Sequence, residues 1–103
     1  FKIEKFDVVI MSNVLEHMKN RKNILKIIKD TIQPKKFLIR VPLYERDWMV
    51  PFMDELDIDY FLDEDHEIEH KILEFTKEMN LAGFNVKKIN TLWGEIWAVC
   101  ERL

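Results

Sequence analysis

The stretch Phe6-Asp7-Val8-Val9-Ile10-Met11-Ser12-Asn13-Val14-Leu15-Glu16-His17 constrains the fold more than any other part of the chain. Its first half is a β-branched and apolar run, which reads as a strand buried on both faces. Ser12 and Asn13 end the run, and Glu16 and His17 follow at once. Strands of that kind belong to parallel sheets, where ligands bind at the carboxyl ends of the strands. This strand end is therefore a candidate site edge. The alternative is an ordinary polar turn, because polar residues commonly follow strands.

The next elements complete a strand-helix-strand unit. Asn20 suits a helix N-cap, with Lys22 to Ile32 as the helix. Ile24, Ile27, Ile28 and Ile32 fall at helical spacing and make an apolar stripe, broadened by Leu25. Gln33-Pro34 ends the helix, since proline cannot continue it. Lys36 to Val41 is the second strand, closed by Pro42. A crossover that contains a helix makes the two strands parallel and right-handed.

Residues 43–65 have no clean period, and form an aromatic and acidic insert with Pro51 in its middle. A stretch of this length is either a functional lid or a satellite core around Tyr44, Trp48, Phe52, Tyr60 and Phe61. A second helix is predicted from Lys71 to Ala82, with Ile72, Phe75, Met79 and Ala82 as its buried stripe. Gly83 is its left-handed cap and Phe84 the apolar contact behind the cap. Asn85 to Asn90 and Glu95 to Cys100 then read as a β-hairpin turned at Leu92-Trp93-Gly94. The class is α/β: two parallel strands with a crossover helix, then a helix and a C-terminal antiparallel hairpin.

Charge is unevenly placed. Nine acids and no Lys or Arg fall between Asp54 and Glu69, leaving ten acids against sixteen bases elsewhere. Such a run is a solvated face or, alternatively, a cation or amine site. The 103 residues suit a single domain, 1–103, and the 34% charged content separates the chain from membrane spans. No membrane partner is expected. Phe1-Lys2-Ile3-Glu4-Lys5 lacks the apolar core of a secretory signal, and Cys100 has no second cysteine to pair with. Both fit a cytoplasmic location. An opening on Phe, five residues before a buried strand, points to a longer parent.

Five pieces, in order, carry a family resemblance. They are Phe6-Asp7-Val8-Val9 through Val14-Leu15-Glu16-His17, then Phe37-Leu38-Ile39-Arg40-Val41-Pro42, then His66 with His70. Leu81-Ala82-Gly83-Phe84 and Glu95-Ile96-Trp97-Ala98-Val99 complete the set. Together they resemble the C-terminal half of a class I S-adenosylmethionine-dependent methyltransferase, from its fourth strand to its final antiparallel strand. The resemblance implies a partial Rossmann-like sheet and, for a complete parent, methyl transfer from S-adenosylmethionine to an oxygen acceptor. It also implies Ser12 and Asn13 at the methionine end of the cofactor, and Glu16 and His17 facing the acceptor as catalytic groups. The Gly-rich turn that cradles the cofactor has no counterpart, because Gly83 and Gly94 are the only glycines and neither follows a strand and opens a helix. His70 and Lys71 stand where the family usually has an aromatic residue and Thr. The isolated chain is expected to be inactive.

Some members of that family hold a divalent cation with Glu-x-x-Glu-His and a later His. Asn13-Val14-Leu15-Glu16-His17 and Asp65-His66-Glu67-Ile68-Glu69 are similar, with Asn13 departing. The resemblance implies metal ligands Glu16, His17 and His66. The acceptor, a small molecule or RNA, is left open. The rival reading is a non-catalytic dimerising or interaction module. In the family sheet a further strand lies beside the fourth, and the resemblance implies that this chain lacks it. Phe6–Met11 is then an apolar edge, expected to pair with a second copy as a homodimer.

Overall fold

The computed structural model describes residues 4–103; the opening Phe1–Ile3, on which the signal-peptide reading rests in part, lies outside the described residues. Val8–Ser12 (β1), Lys36–Pro42 (β2), Phe84–Leu92 (β3) and Glu95–Arg102 (β4) form one sheet in the order β1-β2-β4-β3. β1 and β2 run parallel, and β4 is antiparallel to β2 and to β3. The helices are α1 (Arg21–Ile27), α2 (Met49–Glu55) and α3 (Ile72–Leu81). This is the predicted α/β arrangement, with the hairpin strand β4 inserted beside β2.

The core lies on one face of the sheet. Phe37, Ile39 and Val41 of β2 and Ile96, Ala98 and Cys100 of β4 point the same way, as alternate strand residues must. They pack against Leu25 and Ile28 on one side and Phe75 and Met79 of α3 on the other. The opposite face is open: Ile10, Leu38, Trp97 and Val99 line a shallow concavity of about 320 Å³. The expectation that β1 is buried on both faces therefore fails. Met11 is buried and Val9 packs on the core, but Val8 is 47% and Ile10 70% exposed. The run is apolar on both sides, yet among the described residues only one side has a helical layer over it.

Local chemistry explains the element ends. The α1 helix runs on through a π-helical turn, Ile28–Ile32, into Gln33 at φ 53°, with Pro34 directly behind. Asn20 sits at the N-cap but makes no side-chain cap; its carbonyl accepts from Ile24 N–H at 3.1 Å. The buried stripe runs through Leu25 and Ile28, while Ile27 is 52% exposed, so the helix is rolled away from the predicted stripe centre. Gly83 takes φ +94°, and Phe84 is fully buried behind it. Trp93 and Gly94 both have positive φ, the pattern of a two-residue type I′ hairpin turn.

Residues 43–65 contain the unpredicted α2. Pro51 is the third residue of that helix, within the first turn, where its missing N–H leaves no intrahelical bond unmade. The Tyr44 hydroxyl donates to Asp54 Oδ2 (2.8 Å), and the Tyr44, Tyr60 and Phe61 rings stack edge-on at 5.4 and 5.0 Å. No helix among the described residues is long and apolar enough to cross a membrane.

Candidate functional site

The carboxyl ends of β1 and β2 lie on the same rim of the sheet as the start of β4, since Pro42 pairs with Glu95. A cavity of about 550 Å³ opens there, lined among others by Asn13, Glu16, His17, Asp63, His66 and Trp93. β1 ends at Ser12, and the next residue, Asn13, with a φ of 54° turns the chain out of the sheet. Asn tolerates this left-handed conformation better than most residues. A single 3₁₀ turn, Leu15–His17, follows. Leu15 is fully buried under the rim, and this anchor carries Glu16 inward with it.

His66 arrives from a distant part of the chain. The Glu67 N–H donates to the Glu16 carbonyl at 2.7 Å, which lays the segment before α3 against the 3₁₀ turn. Glu16, His17 and His66 thereby come together, each offering one ligand atom with all three atoms within 4.8 Å of one another. His17 Nε2 and His66 Nε2 lie 3.8 and 3.9 Å from Glu16 Oε1, and the two imidazole rings meet edge-on at 4.6 Å. These distances are too long for hydrogen bonds. Glu16 is fully buried, and neither of its carboxylate oxygens has a hydrogen-bond partner. Burial pushes its carboxyl above the usual range, against partial offsets from its own backbone N–H, which does not reach hydrogen-bond geometry, and from the His66, His17 and His70 imidazoles.

A buried carboxylate without donors is costly unless something else completes it. The donor set suits a divalent cation: two imidazole nitrogens and one carboxylate on one side of a cavity leave coordination positions open toward the cavity. Asn13 does not extend that set. Oriented to suit its neighbours, its amide donates to Glu95 Oε2 (2.8 Å) and accepts from Arg40 Nη2 (2.6 Å). Arg40 is in turn 3.4 Å from Glu95 and lies over the Trp97 ring at 5.0 Å. Ser12, one strand position earlier, is exposed and lines the concavity on the open face. The two residues expected to act together at the cofactor thus sit in different recesses, Ser12 beside Arg40 on the open face and Asn13 in the cavity, whose lining does not include Ser12.

Two further groups were not legible as site residues. Glu69 is buried and Arg46 reaches it at 2.5 Å, while Glu69 Oε2 lies 2.9 Å from His66 Nδ1. The spacing of His66 and Glu69 carries a signal, because residues three apart can meet over one turn; Arg46 carries none. His70, which stands at the family's aromatic position, is fully buried with Nε2 2.5 Å from Glu78 Oε2. Arg21 Nε closes that group on Glu78 Oε1 at 2.6 Å.

No protein-family model and no curated protein matches the chain. Solved structures do. The small RNA methyltransferase HEN1 superposes with a TM-score of 0.76 at 16% identity, over 97% of this chain and 14% of that one. The magnesium protoporphyrin IX methyltransferase ChlM from Synechocystis PCC 6803, with bound SAH, gives 0.68 at 13% identity, over 97% and 46%. The mitomycin 7-O-methyltransferase MmcR gives 0.69 at 19% identity, over 99% and 31%. The chain has the fold of one part of the S-adenosylmethionine-dependent methyltransferase domain. It spans less than half the length of each of these proteins.

Proposed function

We propose that this chain is the acceptor-side part of an S-adenosylmethionine-dependent methyltransferase that methylates an oxygen. The observation that carries the reading is the convergence of Glu16, His17 and His66 around a carboxylate with no partner, at the carboxyl ends of β1 and β2. A methyl acceptor hydroxyl needs its proton removed or its pKa lowered before it attacks. Glu16, with its raised pKa, and His17, 37% exposed at the cavity wall, are placed to take that proton. Alternatively, with Glu16, His17 and His66 holding a divalent cation, their lone pairs would be taken up as ligands and the cation, in place of a base, would polarise the acceptor oxygen and lower its pKa. The residues of this chain do not make a cradle for the cofactor itself: both glycines lie in turns that lead into antiparallel strands.

The acceptor is a small, uncharged or cationic molecule rather than RNA. Glu16, Asp63 and Glu95 line the cavity, and the acidic run from Asp54 to Glu69 passes its mouth. Arg46, also at the wall, is committed to Glu69. Binding RNA draws on free cations that neutralise phosphates, and this rim supplies the opposite charge.

A Mn²⁺ titration followed by NMR tests the centre: signals of Glu16, His17 and His66 should broaden first. Broadening spread over Asp54–Glu69 instead would mark a diffuse cation sink and reject the site. Calorimetry of this chain with S-adenosylmethionine should show no heat of binding; micromolar affinity would contradict the division of labour. In the longer protein, Glu16→Ala with His17→Ala should abolish methyl transfer, and an oligoribonucleotide should not compete with the acceptor.

The second reading, a dimerising module, has its own observation. Among the described residues β1 is a sheet edge bearing Val8, Ile10 and no proline, whereas the opposite edge, β3, is guarded by Lys87, Lys88 and a register shift. Sedimentation equilibrium of the wild type and Ile10→Lys separates the readings. A dimer lost on substitution would favour edge pairing between copies; a monomer in both would remove it.

A further inference from the structure

We propose that Glu69 and Arg46 form a positioning pair that fixes His66 as its Nδ1–H tautomer and so aims the Nε2 lone pair at Glu16. The inference rests on the reading of Glu16, His17 and His66 as one centre. Glu69 is 3% exposed as a residue, and its carboxylate is enclosed. Oε1 accepts from Arg46 Nη1 at 2.5 Å, and Oε2 accepts from the Leu62 N–H at 2.7 Å. The same Oε2 lies 2.9 Å from His66 Nδ1.

The direction of that last bond follows from the others. A carboxylate that accepts from a guanidinium on one oxygen and from an amide N–H on the other has no proton to give. His66 Nδ1 must then carry the hydrogen and donate. In the neutral imidazole the second nitrogen, Nε2, is left with its lone pair, and it points to Glu16 Oε1 at 3.9 Å. A neutral imidazole with Nε2 free is the form that binds a cation or accepts a proton.

Arg46 is itself held. Its Nη1 also donates to the Leu43 carbonyl at 3.0 Å, and its Nη2 to the Tyr60 carbonyl at 2.7 Å. The guanidinium thus ties the end of β2, the far end of residues 43–65 and the segment before α3 into one assembly. The planar fork is needed, because lysine offers a point charge and cannot hold three acceptors in those directions. Residues 43–65 act on the site through this pair.

The test uses two-bond ¹H–¹⁵N imidazole spectra of the intact chain at about pH 8, above the imidazole range. Wild-type His66 should give the Nδ1–H pattern; the Nε2–H pattern would overturn the proposal. In Glu69→Gln, His66 should lose that preference, and Mn²⁺ affinity should fall roughly 10–100-fold, the usual cost of losing a partner behind a histidine ligand. Arg46→Lys should move the tautomer ratio in the same direction by less. An unchanged Nδ1–H pattern in Glu69→Gln would also overturn the proposal. The wild-type spectrum gives an answer even if a variant does not fold. A chain with the Nδ1–H tautomer that binds no Mn²⁺ would refute the cation centre and leave the positioning pair standing.

Discussion

Two clusters of carboxylate and histidine, one built on the part-buried Glu78 and one on the fully buried Glu16, are finished in opposite ways. Between α1 and α3, Glu78 is paired on both oxygens, by His70 at 2.5 Å and Arg21 at 2.6 Å. At the rim of the sheet, Glu16 is more deeply buried and paired on neither. The pKa directions follow: Glu78 is held below the usual carboxylate value because its bonds to His70 and Arg21 outweigh burial, and Glu16 is pushed above it because burial outweighs everything else. A paired cluster stabilises the fold by joining α3 to the start of α1. An unpaired one costs the fold stability and leaves both its oxygens without a partner. The difference separates His70, tied into the packing of α1 and α3 through Glu78, from His17 and His66, which face a carboxylate without a partner.

The comparison breaks most sharply at Glu78. Glu78→Ala strands the buried His70 and the part-buried Arg21 guanidinium and should cost up to about 3 kcal/mol, in the range for leaving buried polar groups unsatisfied. Urea unfolding measures this; a loss below about 0.5 kcal/mol, typical of a surface position, would show that the cluster is not structural.

The matching change at the rim should be much smaller. Glu16→Gln removes a buried charge that no donor satisfies, so folding stability should stay within about 1 kcal/mol of wild type or rise. A loss of about 3 kcal/mol, as for a broken buried pair, would place Glu16 with Glu78 and erase the distinction.

The smallest effect is in acid. Glu78 has a depressed folded pKa, so its contribution is present above its unfolded value of 4.5 and is lost as pH falls through the lower folded value. Stability should therefore decline on acidification below pH 4.5, and Glu78→Gln should flatten that limb. A wild-type curve with the same acid slope as Glu78→Gln would mean that the lowered pKa is not realised in the folded protein.

Much of the fold follows from the order of residues alone. The apolar runs Val8–Met11 and Phe37–Val41, Pro34 behind the first helix and Pro42 at the end of β2, and Gly83 and Gly94 at their turns are local signals, because backbone preference acts over a few residues. They set the strand-helix-strand unit, α3 and the hairpin. The family resemblance, not local pattern, pointed to Glu16, His17 and His66. Three things were decided only in three dimensions. Which face of β1 is covered depends on where α1 and α3 pack, and an apolar run on both sides does not encode that. α2 lies in a stretch without period, because its one buried anchor, Val50, is too little to make a stripe. The opposite fates of Glu16 and Glu78 depend on partners far along the chain: Glu78 meets Arg21 across 57 positions, and Glu16 meets His66 without any donor between them. A carboxylate buried with partners and one buried without are the same letter in sequence, and only packing distinguishes them.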